Sequence, residues 1–258
     1  MPTDDPRSAS GCSDAGFTDA DAAALYDVLC PWDARRWPGD AFYEPLVLAA
    51  DAVLDVGCGT GAMLHAARRH GHTGRLTGLD PDRASLERAR RRTDVEWVRG
   101  TAAEAAWDAE FALAVMTGHA FQCLVSDDEL RASLAAVRAA LRPGGRLVFE
   151  TRHPQARAWE RWSPEHATEV VDVSGRRLRV WHETLSVRDG VVTFTETTAT
   201  PGGRVLRRAT TALRFLEPAA LDALLRAAGF TVEAVYGGWD RGPVTAESRE
   251  IVAVARRP

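Results

Sequence analysis

Asp55, Gly57, Cys58, Gly59 and Gly61 are the residues whose types and spacing most directly imply chemistry. They lie in the run Val53-Leu54-Asp55-Val56-Gly57-Cys58-Gly59-Thr60-Gly61, an apolar stretch that gives way to alternate glycines. Glycine has no Cβ and tolerates positive φ, so such a bend lets backbone lie against a ligand. Behind it, Ala62 to Ala67 starts a helix whose free N–H groups attract polar ligand atoms. In a dinucleotide fingerprint these glycines cradle pyrophosphate, which the carboxylate of Asp55, two residues upstream, would repel. The third glycine also comes early for G-x-G-x-x-G, because position 62 is Ala. The combination points to a ligand that carries an amino group and no phosphate. A second acid, Asp80, ends the run Arg75-Leu76-Thr77-Gly78-Leu79, 23 positions beyond Gly57. A carboxylate at that place accepts the hydroxyls of a ribose, which implies an adenosine-like ligand.

Positioning these groups requires a sheet. The pattern predicts helices over 19–29 and 41–50, the glycine-loop strand, then strand 74–79, helix 82–92 and strand 94–98. Strand 110–116, helix 127–141 and strand 145–151 follow, and helix 218–228 with strands 230–236 and 249–256 closes the chain. Strands separated by helices imply a parallel sheet with right-handed crossovers. Between 165 and 215 the period changes to two, with Asp189-Gly190 as a hairpin signal, which predicts an antiparallel meander of about four strands. The expected fold is α/β: a Rossmann-like, doubly wound, mostly parallel seven-stranded sheet with an antiparallel β insertion before the last helix. The expected organisation is a disordered tail over 1–16, a ligand-binding α/β domain over 17–152 and 216–258, and an inserted β subdomain over 153–215.

In this order and spacing the chain resembles the class I S-adenosylmethionine-dependent methyltransferases. The matching pieces are Leu54 to Gly61, Thr77-Gly78-Leu79-Asp80-Pro81, Val98-Arg99-Gly100-Thr101-Ala102-Ala103, Phe111 to Gly118 and Leu141 to Leu147. The resemblance implies S-adenosyl-L-methionine as cofactor. Asp55, Gly57, Cys58, Gly59 and Gly61 would hold its methionine moiety, and Asp80 with Pro81 its ribose. Gly100, Thr101 and Ala102 would border the adenine, and Met116-Thr117 would offer backbone near the amino acid portion. Tyr26 and Trp32 would belong to an N-terminal lid over the cofactor. Ala112 departs from the family, which often has Asp there.

Ligands of such sheets bind outside the carboxyl ends of the strands. Methyl transfer from a sulfonium is an in-line displacement that needs alignment, exclusion of water and a deprotonated nucleophile. His119, beyond the fourth strand, is the first candidate for a general base, because imidazole chemistry suits proton removal near neutrality. His153, beyond the fifth strand, is the second. Both have a bland alternative in backbone hydrogen bonding. Phe121, Arg152, Trp159, Trp239 and Arg241 are the candidate acceptor contacts; Arg241 would suit a substrate carboxylate. For the insertion tryptophans, Trp159, Trp162 and Trp181, anchoring the meander is the competing role. No Asn- or Asp-Pro-Pro-Tyr follows the fourth strand, and Thr117-Gly118-His119 offers no carboxylate for magnesium. The expectation is methylation of an O or N atom on a small molecule, without a metal.

Bulk properties agree with that class. The chain has 258 residues, 45% hydrophobic, enough for one sizeable core. A net charge of −4 and a pI of about 6.0 argue against a nucleic-acid binder. Four cysteines without paired spacing favour a reducing compartment, and no apolar run reaches membrane-spanning length. The expected location is cytoplasmic, as a monomer or homodimer without nucleic-acid or membrane partners. Three other readings make different demands. An RNA-directed methyltransferase would bind RNA in a salt-sensitive way, an NAD(P)-dependent oxidoreductase would bind NADH tightly, and an inactive cofactor-binding scaffold would lack an acceptor cavity.

Overall fold

The computed structural model describes residues 12–13 and 16–258. Most of the expected 1–16 tail lies outside these residues. Within it, Cys12–Ser13 form a short strand, β1, rather than part of a featureless segment. The remaining elements are α1 (Asp19–Leu29), α2 (Pro38–Ala49), β2 (Ala52–Val56), α3 (Ala62–Arg69), β3 (Arg75–Asp80), α4 (Arg83–Ala89) and β4 (Glu96–Arg99). They continue as β5 (Phe111–Met116), α5 (Asp127–Ala140), β6 (Leu141–Arg152), β7 (Thr168–Val171), β8 (Arg177–Arg188), β9 (Val191–Ala199) and β10 (Val205–Arg214). The chain closes with α6 (Pro218–Ala227), β11 (Thr231–Tyr236) and β12 (Glu250–Arg256).

Seven strands form one sheet in the order β11-β12-β6-β5-β2-β3-β4. β12 alone runs against its neighbours, and the pairs among β6, β5, β2, β3 and β4 are parallel. The predicted seven-stranded, mostly parallel architecture is the one observed. Strand alternation sends Val53, Leu76, Leu113, Val115, Val148 and Val252 to the face covered by α2 and α3. Leu54, Ala114, Met116, Leu147, Phe149 and Ile251 face α5 and α6. Covering both faces is what a parallel sheet requires, and it explains why β2 is buried along its whole length. Helix α2 starts three residues before the predicted Ala41, because Pro38 at its first position supplies a preset φ and lacks an N–H that would go unpaired.

The insertion is a second sheet. Its order is β1-β10-β9-β8-β7, all antiparallel, with Asp189 and Gly190 at φ 51° and 75° in the turn between β8 and β9. The four predicted strands are present, and β1 adds a fifth at the edge, pairing Cys12 with Arg208 and Ser13 with Arg207.

Helix α1 bridges the two sheets. Thr18 and Asp21 form a capping box at its start. Its Leu25, with Phe17 before it, packs against Leu178, Val180 and Leu206 of the inserted sheet. Arg176, in the turn between β7 and β8, reaches Asp21 at 2.5 Å and Asp172 at 2.6 Å. At the other end of the helix, Arg88 of α4 pairs with Asp27 at 2.5 Å. The helix is therefore tied to both layers, and it roofs the space between them.

Candidate active site

That space is a cavity of about 730 Å³. Its floor is the carboxyl edge of β2, β5 and β6, its roof the end of α1 with the start of α2, and its far wall the inserted sheet. The strand-edge rule thus points to this cavity.

The glycine bend shapes the floor. Gly57 has φ 78°, and a Cβ there would sit 2.7 Å from the Cβ of Ala120. Gly61 also has φ 78°, and a Cβ would lie 2.3 Å from the ring of Trp97. Only glycine meets both demands at these two points. The bend is pinned from behind: Gly57 N–H donates to Leu79 O at 2.7 Å, and Gly59 N–H to Asp80 Oδ2 at 2.7 Å.

Two carboxyl groups lie in this floor. Asp55 is 1% exposed, and its Oδ1 has no hydrogen-bond partner among the described residues. Burial, with lesser contributions from Asp80 and Glu150, pushes its pKa up to about 8. Glu150, 2% exposed, is also raised, chiefly by burial. It accepts the hydroxyl of Tyr43 on one oxygen and the His119 N–H at 2.8 Å on the other. An unpaired buried carboxyl beside a Cβ-free bend fits a ligand bearing an ammonium group, which would favour its ionised form. The same group would repel a diphosphate.

His119 lines the cavity, and its φ of 64° is unusual for a residue with a Cβ. The turn is held by its own N–H on Glu150 and by Nε2 on Glu250 Oε2 at 2.9 Å. Assigned from that hydrogen bond, the ring proton sits on Nε2, which leaves Nδ1 with the lone pair.

Tyr26, Trp32, Asp55, Gly57, Cys58, Gly59, Thr117, His119, Arg152 and Trp239 all line the cavity, so the structure brings together ten of the sequence-selected residues. Gly61 sits just behind them, at the N-cap of α3. Trp239 also packs on Phe42 and Tyr43, with ring centroids 5.8 and 5.9 Å away, so part of it belongs to the core. Asp80, Pro81, Gly100, Thr101, Ala102 and Met116 continue the same strand edge outside the cavity wall. Asp80 Oδ1 takes the Asp82 N–H at 2.8 Å, Thr101 caps a short turn with Glu104, and Ala102 and Met116 are buried.

Four candidates are placed elsewhere. Phe121 is core, stacked on Phe149 with centroids 4.1 Å apart. His153 is 2% exposed, and its Nδ1 accepts the Gln155 N–H at 3.2 Å. The extended backbone before Pro154 lets that ring cap the next turn and keeps it away from the cavity. Trp159 lies edge-on to Phe215 at 4.7 Å, which anchors the insertion. Arg241 lies over Phe42 at 5.3 Å and borders a separate cavity with Arg142 and Arg146. None of the four reaches the chamber.

Sequence reasoning missed Tyr43, Glu150, Glu250 and Glu196, and it favoured structural or anchoring roles for His182, Trp162 and Trp181, which line the cavity. For Glu150 a signal existed. It lies two residues after Val148 and two before Arg152, so strand alternation sends it to the α2 side.

Among the described residues no helix is long and apolar enough to cross a membrane. Residues 53–145 match the family described as "Methyltransferase domain". The chain is similar to the cypemycin N-terminal methyltransferase of Streptomyces sp, at 30% identity over 95% of this chain and 99% of that protein. Among solved structures it resembles the CcbJ methyltransferase from Streptomyces caelestis, with a TM-score of 0.71 and 21% identity over 93% and 99% of the two chains. It also resembles the S-adenosylmethionine-bound amino pentose methyltransferase CalS10 from Micromonospora echinaspora. There the TM-score is 0.64 and the identity 25%, over 87% and 94% of the chains. A relative matched over 99% of its length and a fold of the same order agree. The chain belongs to the class I S-adenosylmethionine-dependent methyltransferases, with S-adenosyl-L-methionine as its cofactor.

Proposed function

We propose that this protein transfers a methyl group to a nitrogen or oxygen atom of a small-molecule acceptor, with an amine nitrogen as the favoured target. The observation that carries the reading is the single chamber. The glycine bend and Asp55 form one wall, and the aromatic face of the insertion forms the other. The nitrogen preference draws support from the names of two relatives, an N-terminal methyltransferase and an amino pentose methyltransferase.

S-adenosyl-L-methionine supplies an electrophilic methyl group on a sulfonium. In our reading Gly57 to Gly59 approach its methionine portion by backbone, Asp55 accepts its ammonium, and Asp80 lies toward its ribose. Residues 17–152 and 216–258 form the cofactor half, and 153–215 the half that closes over the acceptor. Tyr26 and Trp32 exclude water from above, which strengthens every electrostatic contact inside. His119, oriented by Glu250, holds an unprotonated Nδ1 to take the acceptor's proton as the new bond to carbon forms. No metal takes part in this scheme.

Calorimetry with S-adenosylhomocysteine tests the donor half, and mass spectrometry of amine and alcohol acceptors incubated with S-adenosyl-L-methionine tests the reaction. Binding followed by methylated amine is the expected result. A chain that binds S-adenosylhomocysteine yet methylates neither class would overturn the reading in favour of a scaffold.

A further inference from the structure

The inserted sheet contributes one carboxylate to the cavity wall, Glu196 of β9. It stands directly opposite His182 of β8, with Oε2 3.2 Å from the imidazole Nε2. No described residue donates a hydrogen bond to Oε1. The two arginines of the wall, Arg152 and Arg161, make no ion pair with it. Arg152 instead donates to Gln122 at 3.1 Å and lies in the field of Glu150 and Glu250.

Aromatic rings surround the pair. Trp162 lies 5.8 Å from His182 and 4.6 Å from Phe194, and Phe194 meets His182 edge-on at 5.3 Å. Trp181, next to His182 along β8, starts from the opposite face of the strand, and its indole N–H donates to Glu183 Oε2 at 2.9 Å. A carboxylate with a free oxygen beside an indole attracts a cation twice over, by charge and by the ring quadrupole. The hydrogen bond from His182 holds Glu196 below the usual glutamate range, so the carboxylate is ionised at neutral pH. The corner lies across the chamber from Asp55 and the glycine bend, on the side left to the acceptor.

We propose that Glu196, backed by His182 and flanked by Trp162, is the docking site for an ammonium group of the methyl acceptor. This rests on the reading of the cavity as a methyltransfer chamber with an amine-bearing acceptor. The site selects the acceptor and plays no part in holding the donor.

The test uses the full chain saturated with S-adenosylhomocysteine. The probe is cyclohexylammonium, with cyclohexanol as its neutral counterpart, and the readouts are calorimetry and tryptophan fluorescence. The expected result is saturable ammonium binding with the alcohol at least about fivefold weaker, as one partly exposed charge contact would give. Glu196→Gln should abolish that preference and leave the affinity for S-adenosylhomocysteine unchanged. Trp162→Leu should weaken the ammonium alone. Glu169→Gln, which removes an exposed carboxylate of β7 outside the cavity, should change nothing. If Glu196→Gln loses its cooperative melt, Glu196→Asp keeps the charge, withdraws it by one methylene, and should give an intermediate preference. Equal binding of the two probes, no ammonium binding, or a preference that survives Glu196→Gln overturns the proposal. Failure of the unaltered chain to bind S-adenosylhomocysteine sinks the chamber reading itself, which separates the two outcomes.

Discussion

The two walls of the chamber treat their carboxyl groups in opposite ways. On the sheet side, burial pushes Asp55 and Glu150 up, and Asp55 has an oxygen that nothing in the protein satisfies. On the inserted side, a histidine one strand away keeps Glu196 down. Arg152 of β6 lies in the field of Glu150 and Glu250, whereas no cation is paired with Asp55, and in the proposed reading the ligand's ammonium would supply one. The inserted wall carries its compensation within the fold. In the proposed reading, charge at Asp55 would thus be conditional on binding, whereas charge at Glu196 would not.

The largest effect that would sharpen this contrast comes from Gly57→Ala. The new methyl meets Ala120 while φ stays positive, a strain of about 4 kcal/mol that the bend sheds by relaxing; restoring it on binding would cost up to roughly a thousandfold in donor affinity. Titration with S-adenosylhomocysteine reads it; an unimpaired variant would remove the bend from the donor site. His119→Ala comes next. Loss of a positioned base should lower kcat about a hundredfold and spare donor binding. A matching loss of donor affinity would return His119 to a structural role.

Asp55→Asn has a smaller effect on affinity, about tenfold for loss of one charge-assisted contact, but it carries a sign that can be checked. A buried carboxyl raised from the ordinary 3.8 to about 8 takes up protons on folding. Its ionisation therefore erodes stability of the ligand-free protein as pH rises from about 4 to 8, with no further change above. Melting curves of the unaltered chain should fall across that window more steeply than those of Asp55→Asn, by an amount on the order of a few kcal/mol at most. Identical slopes would break the contrast between the walls. The smallest effect is expected for Arg241→Ala, whose side chain borders the other cavity; kcat/KM should stay within about twofold.

How much of this was legible depends on the range of the interaction. The glycine bend and the order of the strands are local patterns, and both were readable, as was the β8–β9 turn from Asp189-Gly190. Placing His153 and Phe121 was harder. Both follow the ends of strands, yet one caps a turn and the other stacks into the core, choices made by side-chain rotation that no spacing encodes. Trp239 and Arg241 both read as acceptor contacts, but Arg241, at φ 63°, has its guanidinium over Phe42. Glu250 of β12 meets His119 in the turn after β5, and Glu196 meets His182 through strand register, contacts that follow only once the sheets are assembled. The partners stand 131 and 14 positions apart along the chain.

Helix α1 is clamped at both ends, and the clamps differ. Toward the insertion it has Phe17 and Leu25 seated in an apolar cluster as well as the Arg176 pairs; toward α4 the named tie is the ion pair of Arg88 with Asp27. Ionic contacts weaken with added salt and apolar ones do not. Added salt should therefore loosen the ion pair to α4 while the apolar seat against the insertion persists. Where product departure limits turnover, raising the salt concentration would then quicken the cycle, and Asp27→Asn would mimic that gain in dilute buffer.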